Sequence, residues 1–297
     1  MMKVVLRNIV SRYAVLFPAY SANLSNDDDA SWFTNKNIMA DVLNREEIEQ
    51  FITEGFVRID NVFSLKTANR VLNILWKDIP FKRSDPNSWT EPVVRLGMYS
   101  QQPFIDSVNT TKLHAAFDQL VGVNRWIPCR SVGTFPVRFP SDKQPDDTGK
   151  HVDASFPGDD PANYFEWRVN VKSKGRALLM LIFYSEVSDN DAPTVIYKGS
   201  HVDVAKLLYP EGDAGLSFMA LADKLNRLPE RDEVFATGMA GTVYLCHPFL
   251  IHSAQAHKGN TPKFMAQPPL LLRNELSIAG SDAGYAPVER AIRLGLD

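Results

Sequence analysis

The chain has 297 residues, 44% of them apolar and 23% charged, with a net charge of −3. Such a composition belongs to an ordinary globular protein, and it excludes a disordered chain and a basic nucleic-acid-binding surface. No stretch approaches the roughly 20 apolar residues of a membrane helix, and the two cysteines, Cys129 and Cys246, form no CxxC pair and fit a reducing compartment.

In chain order, residues 1–26 carry Lys3, Arg7 and Arg12 but no acid. They read either as a mitochondrial transit segment or as a segment packed on the domain. The expected compartment is the cytoplasm, with the mitochondrion as the alternative. Asn23 and Asn109 head glycosylation sequons, read as chance without a secretory signal, and Asp27–Asp29 is read as a solvated turn. Asn44 and Glu47 form a capping box ahead of Ile48, Phe51 and Ile52 at helical spacing, and Gly55 ends that helix. A strand is expected at 56–59 and helices at 66–77 and 112–121, so the region 40–125 mixes helix and short strand.

From Gly133 the pattern changes to short strands cut by Gly and Pro. Phe135, Val137 and Phe139 alternate, and the run 177–184 is apolar throughout, as suits a strand buried on both faces. Further strands are expected at 194–197, 242–246 and from 264, with a helical insertion within 215–228. The expected fold is mainly β with flanking helices, a double-sheet jelly roll with its core at about 130–275, in a single domain spanning 1–297.

The chemistry-bearing residues start with Lys150-His151-Val152-Asp153. On a strand, His151 and Asp153 point the same way, and an imidazole and a carboxylate so placed can grip one divalent metal. One more histidine from a separate strand completes a two-His, one-carboxylate triad, which suits non-haem Fe(II) because three coordination positions stay open. The segment Gly241–His252 offers two candidates, His247 and His252, and spacing alone does not choose between them. Beyond them lies Lys263, a cation suited to pairing with a dicarboxylate.

Together and in order, four pieces carry a resemblance: His151-Val152-Asp153, Val195–His201, His247–His252 and Pro262-Lys263-Phe264. Over roughly residues 44 to 273 the chain resembles the phytanoyl-CoA dioxygenase family of Fe(II)/2-oxoglutarate oxygenases. The resemblance implies a cupin-like double-stranded β-helix and Fe(II), 2-oxoglutarate and O2 as the reagents. It assigns the distal ligand to His252, with His151 and Asp153 completing the metal site, and places His201 in a structural Gly-Ser-His turn. Lys263 stands where the family usually has arginine, which keeps the charge but loses the bidentate fork. Arg138 or Arg273 is a candidate helper, Ser253 supplies a polar contact after the distal histidine, and Trp167 sits where an aromatic borders the co-substrate. Arg95, Phe156 and Arg168 are candidate contacts for a small-molecule substrate.

The expected reaction is hydroxylation of a C–H bond in a small organic molecule or acyl thioester, since the halogenases of this group lack the carboxylate that Asp153 supplies here. Competing readings are a cupin-like metalloenzyme that uses no 2-oxoglutarate, and a non-catalytic jelly-roll binding protein.

Overall fold

The computed structural model describes residues 41–279 and 284–296. The N-terminal basic segment, the Asn23 sequon and the 27–29 turn therefore lie outside the described residues.

The N-terminal part is built from local signals. Helix α1 (Arg45–Glu54) starts with the anticipated capping box, the Asn44 side chain accepting the Glu47 N–H at 2.9 Å and Glu47 accepting the Asn44 N–H at 2.8 Å. It stops at Gly55, whose φ of 87° is the left-handed conformation that glycine adopts without steric cost. Strand β1 (Phe56–Ile59) follows, then α2 (Leu65–Asp78), β2 (Val93–Leu96), α3 (Gln102–Val108), α4 (Thr111–Val121) and β3 (Trp126–Ile127). The apolar faces of α2 and α4 supply Val71, Leu75, Leu113, Phe117 and Leu120 to the core.

The remainder contains β4 (Phe135–Arg138), β5 (Arg168–Val169), β6 (Arg176–Phe183), β7 (Thr194–Tyr197), α5 (Ser200–Leu208), β8 (Leu216–Ser217) and α6 (Phe218–Leu225). After these come β9 (Glu233–Ala236), β10 (Val243–Cys246), β11 (His252–Ser253), β12 (Met265–Ala266), β13 (Pro269–Leu272) and α7 (Pro287–Arg293). The large antiparallel sheet runs β1-β10-β6-β13-β3, with β12 also pairing β6, and a small sheet runs β11-β7-β9. Among the described residues no helix is long and apolar enough to cross a membrane.

Strand β6 is the centre of the large sheet, and all eight of its residues are buried. Its side chains alternate between two apolar clusters. Leu178, Met180 and Ile182 join the helices, while Leu179, Leu181 and Phe183 meet Ile196 and Ala236 of the small sheet. A strand sandwiched in this way carries apolar residues on both faces, which accounts for the unbroken run in the sequence.

One irregularity shapes the site. Leu270 pairs with Leu178 but Leu271 pairs with Arg176, so Ala177 is skipped. Ala177 and Leu178 consequently both join the helix-side cluster, and Arg176 is turned to the inner side of the sheet. Re-aiming one side chain is what a β-bulge does.

Two expectations need correction. Residues 151–153 are not a regular strand; only His151 forms an isolated antiparallel bridge, to His252. Pro157 and Gly158 just downstream leave no room to extend it. The Gly-Ser-His turn is the start of a nine-residue helix, α5, with Gly199 at φ 72° as its N-cap. Elements unread in the sequence are β2, α3, β3, β5, β8, β9, β11, β13 and α7.

Candidate metal centre

His151 and His252 exchange backbone hydrogen bonds, each N–H donating to the other's carbonyl at 3.0 Å. Directly opposed residues on antiparallel backbones project to the same face, and the two imidazole centroids lie 4.3 Å apart. β7 holds His252 in place through the pairing His252↔Ile196. Each Nδ1 faces a carbonyl oxygen, Gly149 at 2.9 Å and Leu250 at 3.1 Å. A carbonyl only accepts, so each Nδ1 carries a proton, and in the neutral ring this leaves the lone pair on Nε2.

Both Nε2 atoms point at one carboxylate oxygen, Asp153 Oδ1, each at 3.9 Å. The three ligand atoms lie within 4.8 Å of one another. A 3.9 Å gap is shorter than two ligand bonds of ~2.1 Å laid end to end, so a first-row ion fits between them. His252 Nε2 is buried without a hydrogen-bond partner, which is costly unless a cation takes it up. The residues present thus suit a divalent metal.

The electrostatics agree. Burial pushes the His252 imidazole down to about 4, helped by the neighbouring His151, so it is neutral and ready to coordinate at physiological pH. Burial acts in the opposite sense on Asp153. Arg176, His252 and His151 outweigh it and hold that carboxyl below the usual range. Arg176 donates Nη1–H to Asp153 Oδ2 at 3.0 Å and Nη2–H to the Ala154 carbonyl at 3.1 Å. It therefore fixes the far oxygen of the carboxylate and leaves the near one for the metal.

His247, the other histidine left open by the spacing, is fully buried elsewhere. Its Nε2 faces the Val288 carbonyl at 3.2 Å and its Nδ1 accepts the Phe249 N–H at 3.1 Å. Both nitrogens are occupied, and its ring packs against His201.

Lys263 is buried beside Arg138, and the two residues exchange backbone hydrogen bonds of 2.8 and 3.1 Å between β4 and the segment before β12. The Lys263 ammonium donates to the Ala192 carbonyl. Arg138 Nη2 donates to Asp147 Oδ2 at 2.8 Å, and Arg95 Nη2 reaches the same oxygen at 3.0 Å. Arg138 and Lys263 are thus buried side by side. Arg273 is exposed beyond the end of β13. Ser253 is buried with its hydroxyl 3.2 Å from that of Tyr197.

Of the remaining candidates, Trp167 packs at a tilt against Tyr164 and donates its indole N–H to the Pro161 carbonyl at 2.8 Å. Arg168 donates to the Ala214 and Gly215 carbonyls at 2.6 and 2.8 Å, and bridges to Phe156. An aromatic wall stands beside His151, with Phe218 at 6.2 Å between ring centroids and Tyr164 against Phe218. Sequence reasoning missed Arg176, Asp147 and Phe218. For Asp147 the available signal was an acidic pair shortly before His151.

No protein-family model matches the sequence, and no curated protein matches it. Solved structures do share the fold. The non-heme alpha-ketoglutarate-dependent carbocyclase SnoK from nogalamycin biosynthesis superposes with a TM-score of 0.51 at 14% identity, over 82% of this chain and 89% of its own. HygX from Streptomyces hygroscopicus, solved with nickel and 2-oxoglutarate, gives 0.50 at 17% identity, over 76% and 85%. EctD from S. alaskensis with bound Fe gives 0.50 at 18% identity, over 79% and 78%. The chain thus has the fold of non-haem iron and 2-oxoglutarate-dependent enzymes and carries a His-Asp-His cluster within it.

Proposed function

We propose that this chain is an Fe(II)- and 2-oxoglutarate-dependent dioxygenase of the phytanoyl-CoA dioxygenase kind, built on a double-stranded β-helix. Its substrate is a small organic molecule or acyl thioester, hydroxylated at a C–H bond. The carrying observation is the converged triad, with two Nε2 atoms aimed at one oxygen of an arginine-held carboxylate.

When bound, Fe(II) and 2-oxoglutarate supply the oxidation, one O2 being shared between the substrate's new hydroxyl and succinate, with release of CO2. The protein's part is position and charge. His151, Asp153 and His252 hold the metal on one side, leaving the other for reactants. Arg138 and Lys263 are the cations available to the far carboxylate of 2-oxoglutarate, with Ser253 and Trp167 nearby in the proposed pocket. Phe218 and Tyr164 form an aromatic border beside His151. Arg95, Phe156 and Arg168 are the proposed substrate contacts, the last through the loop it braces.

One observation favours a second reading, a metalloenzyme independent of 2-oxoglutarate. Asp147 already sits on Arg138, and Lys263 is engaged by a backbone carbonyl. The two readings part under anaerobic addition of Fe(II) and 2-oxoglutarate. The oxygenase gives a weak visible charge-transfer band only with both present, lost in His252→Ala. Iron binding with no such band supports the second reading.

A further inference from the structure

The position of Asp147 has a consequence for how the proposed co-substrate enters, resting on the reading above. Between Arg138 and His151 there is no helix or strand. Residues 142–144 and 148–150 of that segment are exposed, while Pro145 is buried and the Asp147 side chain is only 18% exposed. The carboxylate is turned inward, onto the guanidinium of Arg138, itself 3% exposed. The pairing is only half made. Both arginine contacts fall on Oδ2, at 2.8 Å from Arg138 and 3.0 Å from Arg95. Asp147 Oδ1 and Arg138 Nη1 are each buried without a hydrogen-bond partner. A free carboxylate with room to orient can bind an arginine through two parallel hydrogen bonds and makes the stronger pair. If Asp147 leaves, Arg95 still has Asp146, 2.5 Å away, whereas Arg138 is released.

We propose that Asp147 is a built-in carboxylate plug: it occupies the anion seat on Arg138 beside Lys263, and 2-oxoglutarate binds by displacing it and swinging residues 141–147 aside. The plug sets the affinity for the co-substrate and keeps the buried Arg138 guanidinium neutralised between turnovers.

The test is calorimetric titration of 2-oxoglutarate into Mn(II)-loaded protein without oxygen, comparing wild type, Asp147→Asn and Asp142→Asn. The last removes the same charge from an exposed position of the same segment. Removing the internal competitor is expected to tighten binding about tenfold to a hundredfold, the range of a charge-assisted hydrogen bond, with Asp142→Asn unchanged. Hydrogen exchange on the wild type needs no variant to fold: amides of 141–147 exchange faster once 2-oxoglutarate is added. Equal or weaker binding by Asp147→Asn, or protection of 141–147, overturns the plug alone. If wild type and Asp147→Asn both hold Mn(II) yet neither binds 2-oxoglutarate, the co-substrate reading falls and the plug with it.

Discussion

Arg176→Met removes the guanidinium that holds Asp153 while nearly preserving the side chain's volume. Two contacts go: Nη1 to Asp153 Oδ2 at 3.0 Å and Nη2 to the Ala154 carbonyl at 3.1 Å. Deleting one partner of a buried ion pair costs about 3–5 kcal/mol, because the other charge is left behind. In metal-free protein this is expected to lower the melting temperature by on the order of 10 °C. A bound dication offers Asp153 a second counter-charge, so the loss is smaller in metal-loaded protein.

Two effects then oppose each other in metal affinity. Losing a nearby cation favours a dication by Coulomb attraction. Losing both hydrogen bonds frees the carboxylate and the adjacent backbone, and it lets burial raise the Asp153 carboxyl so that metal must displace a proton. Orientation and proton cost dominate, since partners of metal ligands are typically worth tenfold to a hundredfold in affinity. Competition against a chelator with Co(II), at several pH values, reads this directly. The expected variant binds about tenfold to a hundredfold more weakly, with a steeper pH dependence. Wild-type affinity with wild-type pH dependence refutes the role assigned to Arg176.

Two further perturbations address the scaffold. His201 is buried, its Nε2 on the Ile52 carbonyl at 3.0 Å, and burial pushes its imidazole down to about 4. Its folded pKa is depressed, so its stabilising contribution is complete above the ordinary value near 6.5 and is lost as pH falls towards 4. The gap is worth roughly 3 kcal/mol. His201→Gln is expected to flatten the urea midpoint between those pH values, and an unchanged slope contradicts the assignment. Gly55→Ala places a methyl 2.5 Å from His201 Nδ1 and 2.7 Å from Leu250 Cδ1 at a φ of +87°. The strain and the overlap together are expected to cost about 2–4 kcal/mol in chemical denaturation. A loss under about 1 kcal/mol would show that the His201 ring yields easily.

How much was legible in the sequence follows from which interactions each feature depends on. The capping box at Asn44, the stop at Gly55 and the run 177–184 are local or depend only on burial, and the structure has them where the pattern puts them. The pair His151 and Asp153 was visible because both lie on one short segment. The choice between His247 and His252 was not, because it turns on the partners their nitrogens find. For His247 that partner is the Val288 carbonyl, 41 residues away on α7. Arg176 directly precedes the apolar run 177–184, and nothing in the segment itself marks it as inward-facing. Its inward turn comes from the skipped residue opposite β13, a feature of pairing between strands that no single segment encodes. Asp147, in an Asp-Asp-Thr-Gly stretch, has the composition of a solvated turn, and its burial depends on Arg138 and Arg95.

The lysine at 263 has its own physical logic. An arginine there would be charged at every accessible pH, already beside Arg138. Lysine is different, because burial, and then the repulsion of Arg138, hold its ammonium well below the ordinary lysine value, against the weaker pull of Asp147 and Asp191. A lysine can shed its proton there and still donate to the Ala192 carbonyl, an option that an arginine lacks. A carboxylate arriving beside it raises its proton affinity again. Binding of 2-oxoglutarate is therefore expected to take up a proton wherever the pH exceeds the resting pKa, and its affinity falls as pH rises through that value. Titrations in buffers of different ionisation enthalpy measure the uptake directly. The expected outcome is uptake approaching one proton in wild type at alkaline pH and none attributable to this residue in Lys263→Arg, which binds with a flatter pH profile. No uptake in wild type anywhere on the alkaline side of neutrality would mean that Lys263 is charged at rest, and the reason offered here for lysine at this position would fail.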